Sequence, residues 1–224
     1  LGTIYNEGYL EALSNAKNTE EISEVLESCN LYDYSSLIND IKEKEAQSTF
    51  EGEFRLESLY YKMMRSSLEN MGDAGVLVKS LCIIIDLANL QVVFRSVLRQ
   101  MNPDIGNFIL EGGHMLSANT IKELLSLTMT EIIGRLEGTE YHQMAREISK
   151  SYEKEQTIVI VDKIMGGYRL MLLRDLLSPR ALSPCNLFWY LIIKETEIRN
   201  VRIILKSIED GIQLSDVRDY LITS

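Results

Sequence analysis

Between Val76 and Gln100 the chain is mostly Leu, Ile and Val, yet it sets Asp86 and Asn89 inside that apolar stretch. Three residues is close to one helical turn, so a helix places both polar groups on one face. A buried polar group left without a partner costs about 1–3 kcal/mol. Any fold of this chain must therefore bury the stretch and find partners for the pair.

The pattern returns near the C-terminus. Asp86-Leu-Ala-Asn-Leu-Gln-Val-Val-Phe-Arg95 aligns with Glu197-Ile-Arg-Asn-Val-Arg-Ile-Ile-Leu-Lys206 at an offset of 111 residues, with Asn89 and Asn200 identical and most other pairs conservative. A second echo links Glu131-Ile-Ile-Gly-Arg-Leu-Glu137 to Glu21-Ile-Ser-Glu-Val-Leu-Glu27 at an offset of 110, with four identities in seven positions. Two echoes at nearly one offset predict a duplicated unit, with repeats over residues 1–113 and 114–224. The period exceeds that of common solenoid repeats, so each copy is expected to be a small helical bundle packed on its neighbour. Gly211 with Leu214-Ser215 resembles Gly112 with Leu116-Ser117, as if a further copy were beginning.

The local signals are helical throughout. Asn18 caps a helix, with Glu21 as its capping-box partner. Helices are predicted from Asp33 to Glu45, from Phe50 to Asn70 and from Val76 to Gln100, the last ended by Asn102-Pro103. Ser117 caps a short helix, Tyr141 to Tyr152 and Thr157 to Leu177 are further helices, and Asp162 echoes Glu57. Ser183-Pro184 is the N-cap and first-turn pair of the final long helix. No segment alternates with period two between turn residues. The fold class is all-α, with two long helices preceded by shorter ones in each copy.

Apolar residues make up 46% and charged residues 25%, the profile of a globular core rather than of disorder. The net charge of −10 weighs against nucleic-acid binding, which needs clustered cations. Residues 1–53 hold twelve acids and three bases, net −9, so the excess sits in the first quarter. Glu20, Glu21, Glu24 and Glu27 fall along one predicted helix there. They read either as a solvated face or as a surface that captures a basic element. Cys29, Cys82 and Cys185 are widely spaced and form no CxxC, which points to reduced thiols. The longest unbroken apolar run, Leu81 to Ile85, is far short of a membrane span. The chain opens on Leu1 without an initiator Met and is read as a fragment of a longer product.

Motifs that carry chemistry are missing from the pattern. There is no P-loop, no GxSxG elbow, and neither His114 nor His142 has a metal-ligand partner at i+3 or i+4. Gly112-Gly113 reads as a turn, and Gly166-Gly167 as a place of close helix contact. The expectation is no catalytic residue, cofactor, metal or small-molecule ligand. Asp86 with Asn89, and Glu197 with Asn200, are the sharpest constellation. One reading is acid–base catalysis. The other is a buried acid held by an Arg or by backbone donors to fix helix packing. The duplication favours packing, and both acids are then expected to be buried.

Lys194-Glu-Thr-Glu-Ile-Arg-Asn-Val-Arg202 followed by Ile203-Ile-Leu, with Asp86-Leu-Ala-Asn-Leu and Arg95 as its earlier copy, resembles the C-type subunit family of archaeal-type (A/V-type) rotary ATPases, whose counterpart in the vacuolar ATPase is the d-type subunit. Leu26…Tyr32 and Leu136…Tyr141 fit the same family. The resemblance spans nearly the whole chain and implies a funnel of three related helical subdomains, of which two are visible here. It implies a non-catalytic adaptor on the cytoplasmic side of the membrane that joins the central stalk to the rotor ring, with the stalk as the basic partner of the acidic helix. A helical scaffold of an unrelated complex is the alternative reading.

Overall fold

The computed structural model describes residues 7–43, 49–100, 108–180, 182–213 and 217–222. The described residues form ten α-helices and no strand. In chain order these are α1 (Glu7–Asn15), α2 (Thr19–Ser28), α3 (Tyr32–Glu43), α4 (Thr49–Glu69), α5 (Ala74–Arg99), α6 (Ala118–Leu124), α7 (Met129–Arg135), α8 (His142–Glu155), α9 (Val159–Leu177) and α10 (Pro184–Glu209). A 3₁₀ turn follows at Arg218–Tyr220. The predicted stop at Asn102-Pro103 lies outside the described residues. So do Leu214 and Ser215. Among the described residues α5 ends at Arg99, with Gln100 in the left-handed region.

By compactness the chain divides into Leu1–Met64 and Arg65–Ser224, a boundary that falls inside α4. This is a different division from the repeat expected at 113/114, which rests on correspondence between residues rather than on compactness. In the first unit α2 packs on α3. The buried Ser23 hydroxyl bonds the Ser35 carbonyl at 3.3 Å and the Asn39 side chain at 3.0 Å, which fixes the pair. Leu26 and Cys29 are buried beside it. Asn18 accepts from the Glu21 N–H at 2.9 Å as the cap predicted. The Glu21 carboxylate reaches past the cap to the Lys17 N–H at 2.9 Å.

The second unit is built around α5. Its residues Leu81, Leu90, Val93 and Phe94 are fully buried, each burial stabilising by about 1.5–3 kcal/mol. α5 is the one helix among the described residues long and apolar enough to cross a membrane, yet most of it is buried inside the protein. It packs chiefly on α9, with α6 and α7 contributing. Ion pairs pin the two long helices near both ends. Asp162, in the first turn of α9, meets Gln91 at 2.7 Å and Arg95 at 2.5 Å near the end of α5. Arg180, just past the end of α9, meets Asp73 at 3.0 Å, the residue that precedes α5. The helices therefore run antiparallel. α7 opens with a full capping box, Thr128 with Glu131, at the place corresponding to Asn18 with Glu21.

Candidate functional site

Asp86 and Asn89 lie on one side of α5 and are 0% and 2% exposed. Asn89 donates from its Nδ2 to the Leu110 carbonyl at 2.8 Å and accepts the Leu110 N–H on its Oδ1 at 2.9 Å. One side chain thereby completes the backbone of a buried residue in a non-helical segment, where no neighbouring helix could do so. One turn earlier, the Asp86 Oδ2 accepts from the N–H groups of His114 at 3.1 Å and Met115 at 2.8 Å, and from the Tyr141 hydroxyl at 2.8 Å. The carboxylate thus ties α5 to the segment before α6 and to the start of α8. An Arg partner was one of the two expected possibilities; backbone donors and a phenol hold the acid instead.

The other carboxylate oxygen, Oδ1, is buried without a hydrogen-bond partner. It lies against Gly113, where an added Cβ would run into it and into the Leu116 carbonyl. Gly113 has to be glycine because the acid approaches it. Gly112 beside it makes the turn at φ +94. Burial pushes the Asp86 carboxyl above the ordinary range, and the N–H and O–H donors pull it back in part. Burial, then the Asp86 charge, pushes the Tyr141 phenol far up, so it stays protonated and donates. Burial also raises the Cys82 thiol beside it. These groups are shifted by enclosure, and Asp86 and Tyr141 already have a structural task.

The C-terminal copy of the motif is built half in the same way. Asn200 donates to the Ile222 carbonyl at 2.7 Å and accepts the Ile222 N–H at 3.1 Å. This is the Asn89 arrangement shifted by 111 residues on the helix and 112 on its target. Glu197 differs, and the expectation that it is buried is corrected. Its side chain is 54% exposed and pairs with Lys194 at 2.6 Å, one turn back on its own helix. Among the described residues no segment covers it as the 114–116 segment covers Asp86. Ile222 thus stands to Asn200 as Leu110 stands to Asn89. Ile222 lies on Gly166, where a Cβ would collide with it, so this glycine admits a loop residue rather than a helix.

Of the four glutamates of α2, Glu20, Glu24 and Glu27 are exposed and Glu21 is part-buried, and three of the four have partners nearby. Glu20 pairs with Lys42 of α3, Glu21 caps the helix, and Glu27 accepts the Ser35 hydroxyl at 2.7 Å. Glu24 is exposed. Among the described residues no group of three His, Cys, Asp or Glu is placed to hold a metal.

The residues that sequence reasoning missed are Tyr141 and Gly113. Both stood inside noticed patterns, Leu136…Tyr141 and Gly112-Gly113, but nothing local says that they meet Asp86.

The chain matches the family described as ATP synthase (C/AC39) subunit over residues 1–220. It is 28% identical over 221 residues to the C-type subunit of the A-type ATP synthase of Pyrococcus abyssi, covering 95% of this chain and 57% of the relative. The protein of the same description from Methanobrevibacter smithii is 26% identical over 219 residues, with 95% and 57% covered. That from Methanocaldococcus jannaschii is 22% identical over 218 residues, with 96% and 54% covered. The chain thus spans little more than half the length of these relatives.

Proposed function

The chain belongs to the ATP synthase (C/AC39) subunit family, and from that premise we propose that it is a non-catalytic adaptor of an A-type ATP synthase, coupling the central stalk to the membrane rotor ring. The observation that carries this reading is the match to the family over almost the whole chain. Torque transfer needs a stiff body, because a soft one stores rotation as strain instead of passing it on. A close-packed helical interior resists deformation. The antiparallel pair of α5 and α9, tied by ion pairs near both ends, is suited to that load. The Asp86 carboxylate is spent on holding three segments together, which supports the packing reading of the acid over acid–base catalysis. The protein would sit peripherally on the cytoplasmic side, with Glu24 in the part of the acidic helix that faces the stalk.

The body is proposed to consist of two copies of one unit, residues 1–113 and 114–224. The clips of Asn89 on Leu110 and of Asn200 on Ile222 support this, as do the matching caps at Asn18 and Thr128.

The test is assembly of the stalk and ring subunits of an A-type ATP synthase with and without this chain. The adaptor reading expects the chain to co-purify with both partners and its omission to uncouple ATP hydrolysis from ion pumping while hydrolysis persists. Pumping that is unaffected by omission, or failure to co-purify, overturns it and favours a scaffold in another complex.

A further inference from the structure

The two adjacent glycines of α9 differ in what they are for. At Gly166 an added Cβ would collide with Ile222, so the glycine is required there. At Gly167 an added Cβ would meet nothing within 4 Å. Glycine is a poor helix former, and Gly167 stands at the middle of a 19-residue helix where no protein atom requires it. Its effect is to keep open a groove of about 350 Å³ that α9 shares with α8 and with the segment at Leu221 and Ile222. Small-molecule sites span about 300–1,000 Å³.

Lys163, Gly167 and Met171 recur every four residues along α9, so they lie on one side of the helix, and all three line the groove. Lys163 is half-buried and, among the described residues, has neither an ion pair nor a hydrogen bond. The acid that shares the groove, Glu147 of α8, accepts the Tyr168 hydroxyl at 3.2 Å. Tyr168 is five residues beyond Lys163, about 7.5 Å along the helix axis. The two charges of the groove are thus set apart, and only the cation lacks a partner. Polypeptide is a poor occupant. Asn200 already takes the N–H and the carbonyl of Ile222, so that edge of the groove offers a passing backbone nothing to pair with.

We propose that this groove binds a small aliphatic carboxylate, with its hydrocarbon body over Gly167 against Ile164 and Met171 and its head group on the Lys163 ammonium. Burying the body removes apolar surface from water on both sides, and the lone ammonium gains a counter-charge. One cation matches a monoanion; a phosphate group carries more charge and more acceptors than Lys163 alone can serve. The flexible thioether of Met171, which is 41% exposed, can adjust to bodies of different length. The proposal depends on neither the adaptor reading nor the repeat.

The probe is octanoate, titrated into the full chain and followed by amide NMR shifts. 1-Octanol and octylamine carry the same body without the charge and with the opposite charge. Saturable binding of octanoate is expected, with the amides of Glu147, residues 163–171, Leu221 and Ile222 shifting together and both controls binding at least about tenfold more weakly. Gly167→Leu fills open space on a helix, so it keeps or raises the melting temperature, and it weakens octanoate binding at least about tenfold. Lys163→Met weakens octanoate about tenfold and leaves 1-octanol unchanged. Equal octanoate binding by wild type and Gly167→Leu overturns the proposal, as do shifts that map away from the groove and a lack of saturable binding up to about 10 mM. Equal affinity for all three probes overturns it too, because the groove is then an apolar patch that does not read charge. A chain that co-assembles with stalk and ring subunits but ignores octanoate keeps the adaptor reading and fails only this proposal.

Discussion

Asn89 closes both backbone polar groups of Leu110, 21 residues away, donating to its carbonyl at 2.8 Å and accepting its N–H at 2.9 Å. Leu110 is 6% exposed, so water has little access to either group. Asn200 does the same for Ile222, but on a helix that is only half-buried at that point. One amide at one position of a repeated pattern thus clips two equally buried residues, Leu110 and Ile222, from helices in different degrees of enclosure.

That difference sets the expected costs. Asn89→Ala strands two buried groups at about 1–3 kcal/mol each. Asn200→Ala strands the same two groups on Ile222, which is also 6% exposed, but Asn200 itself is only half-buried, so water can take the place of its amide and the cost is expected to be about 1 kcal/mol or less. Urea unfolding of the two variants measures both. Equal losses would contradict the assignment of Asn89 as the buried clip.

Asp86 predicts a pH dependence of stability. Burial raises its folded-state pKa above the ordinary carboxylate value. Such a group binds its proton more tightly when folded, so its contribution is fully present below the ordinary carboxylate pKa and is lost as pH rises through the raised value. Asp86→Asn keeps an acceptor for His114, Met115 and Tyr141 but does not titrate. The stability of wild type relative to Asp86→Asn is expected to fall between about pH 4 and neutrality. Parallel curves over that window would mean that the acid does not titrate there. Asp86→Ala removes the acceptor for three donors and is expected to destabilise by about 1.5–3 kcal/mol or more at every pH.

Gly113→Ala drives a methyl group into the Asp86 carboxylate and the Leu116 carbonyl. A loss of about 1–3 kcal/mol is expected, the usual cost of overpacking. The loss should shrink in an Asp86→Ser background, where one of the two obstructing groups is shortened. A double-mutant cycle measures the coupling, and strict additivity would place the clash elsewhere.

Glu24 separates the acidic helix as an interface from the acidic helix as a solubilising face. Glu20, Glu21 and Glu27 are bound within their own unit, so changing them disturbs the fold as well as the charge. Glu24→Lys is expected to leave the melting temperature within about 1–2 °C, as for an exposed substitution. If the stalk docks here, association of a stalk protein slows at low salt and converges with wild type at high salt, where the Debye length falls to about 3 Å at 1 M. Identical on-rates across the salt series would move the stalk site elsewhere.

The helices were legible because their signals are local. Asn18, Ser117 and Ser183-Pro184 cap helices where their side chains reach the first free N–H groups, and no distant residue is needed for that. The run Thr157 to Val161 shows the limit of residue type. Its β-branched residues favour a strand, but the helical period beyond it prevails and α9 begins at Val159.

The sequence by itself determined that α5 is a core helix with a polar pair on one side, because an apolar run of that length must be buried and its acid and amide must be paired. It also determined that the pattern recurs, since a repeat is a property of residue order. Which partners the pair takes was decided only by the tertiary structure. Leu110, His114, Met115 and Tyr141 lie 21 to 55 residues beyond the pair, and only chain packing brings them to it. The fate of Glu197 was decided the same way. Its sequence context matches that of Asp86, yet it is exposed and turns to Lys194, because burial depends on what lies over a side chain and not on its neighbours in sequence.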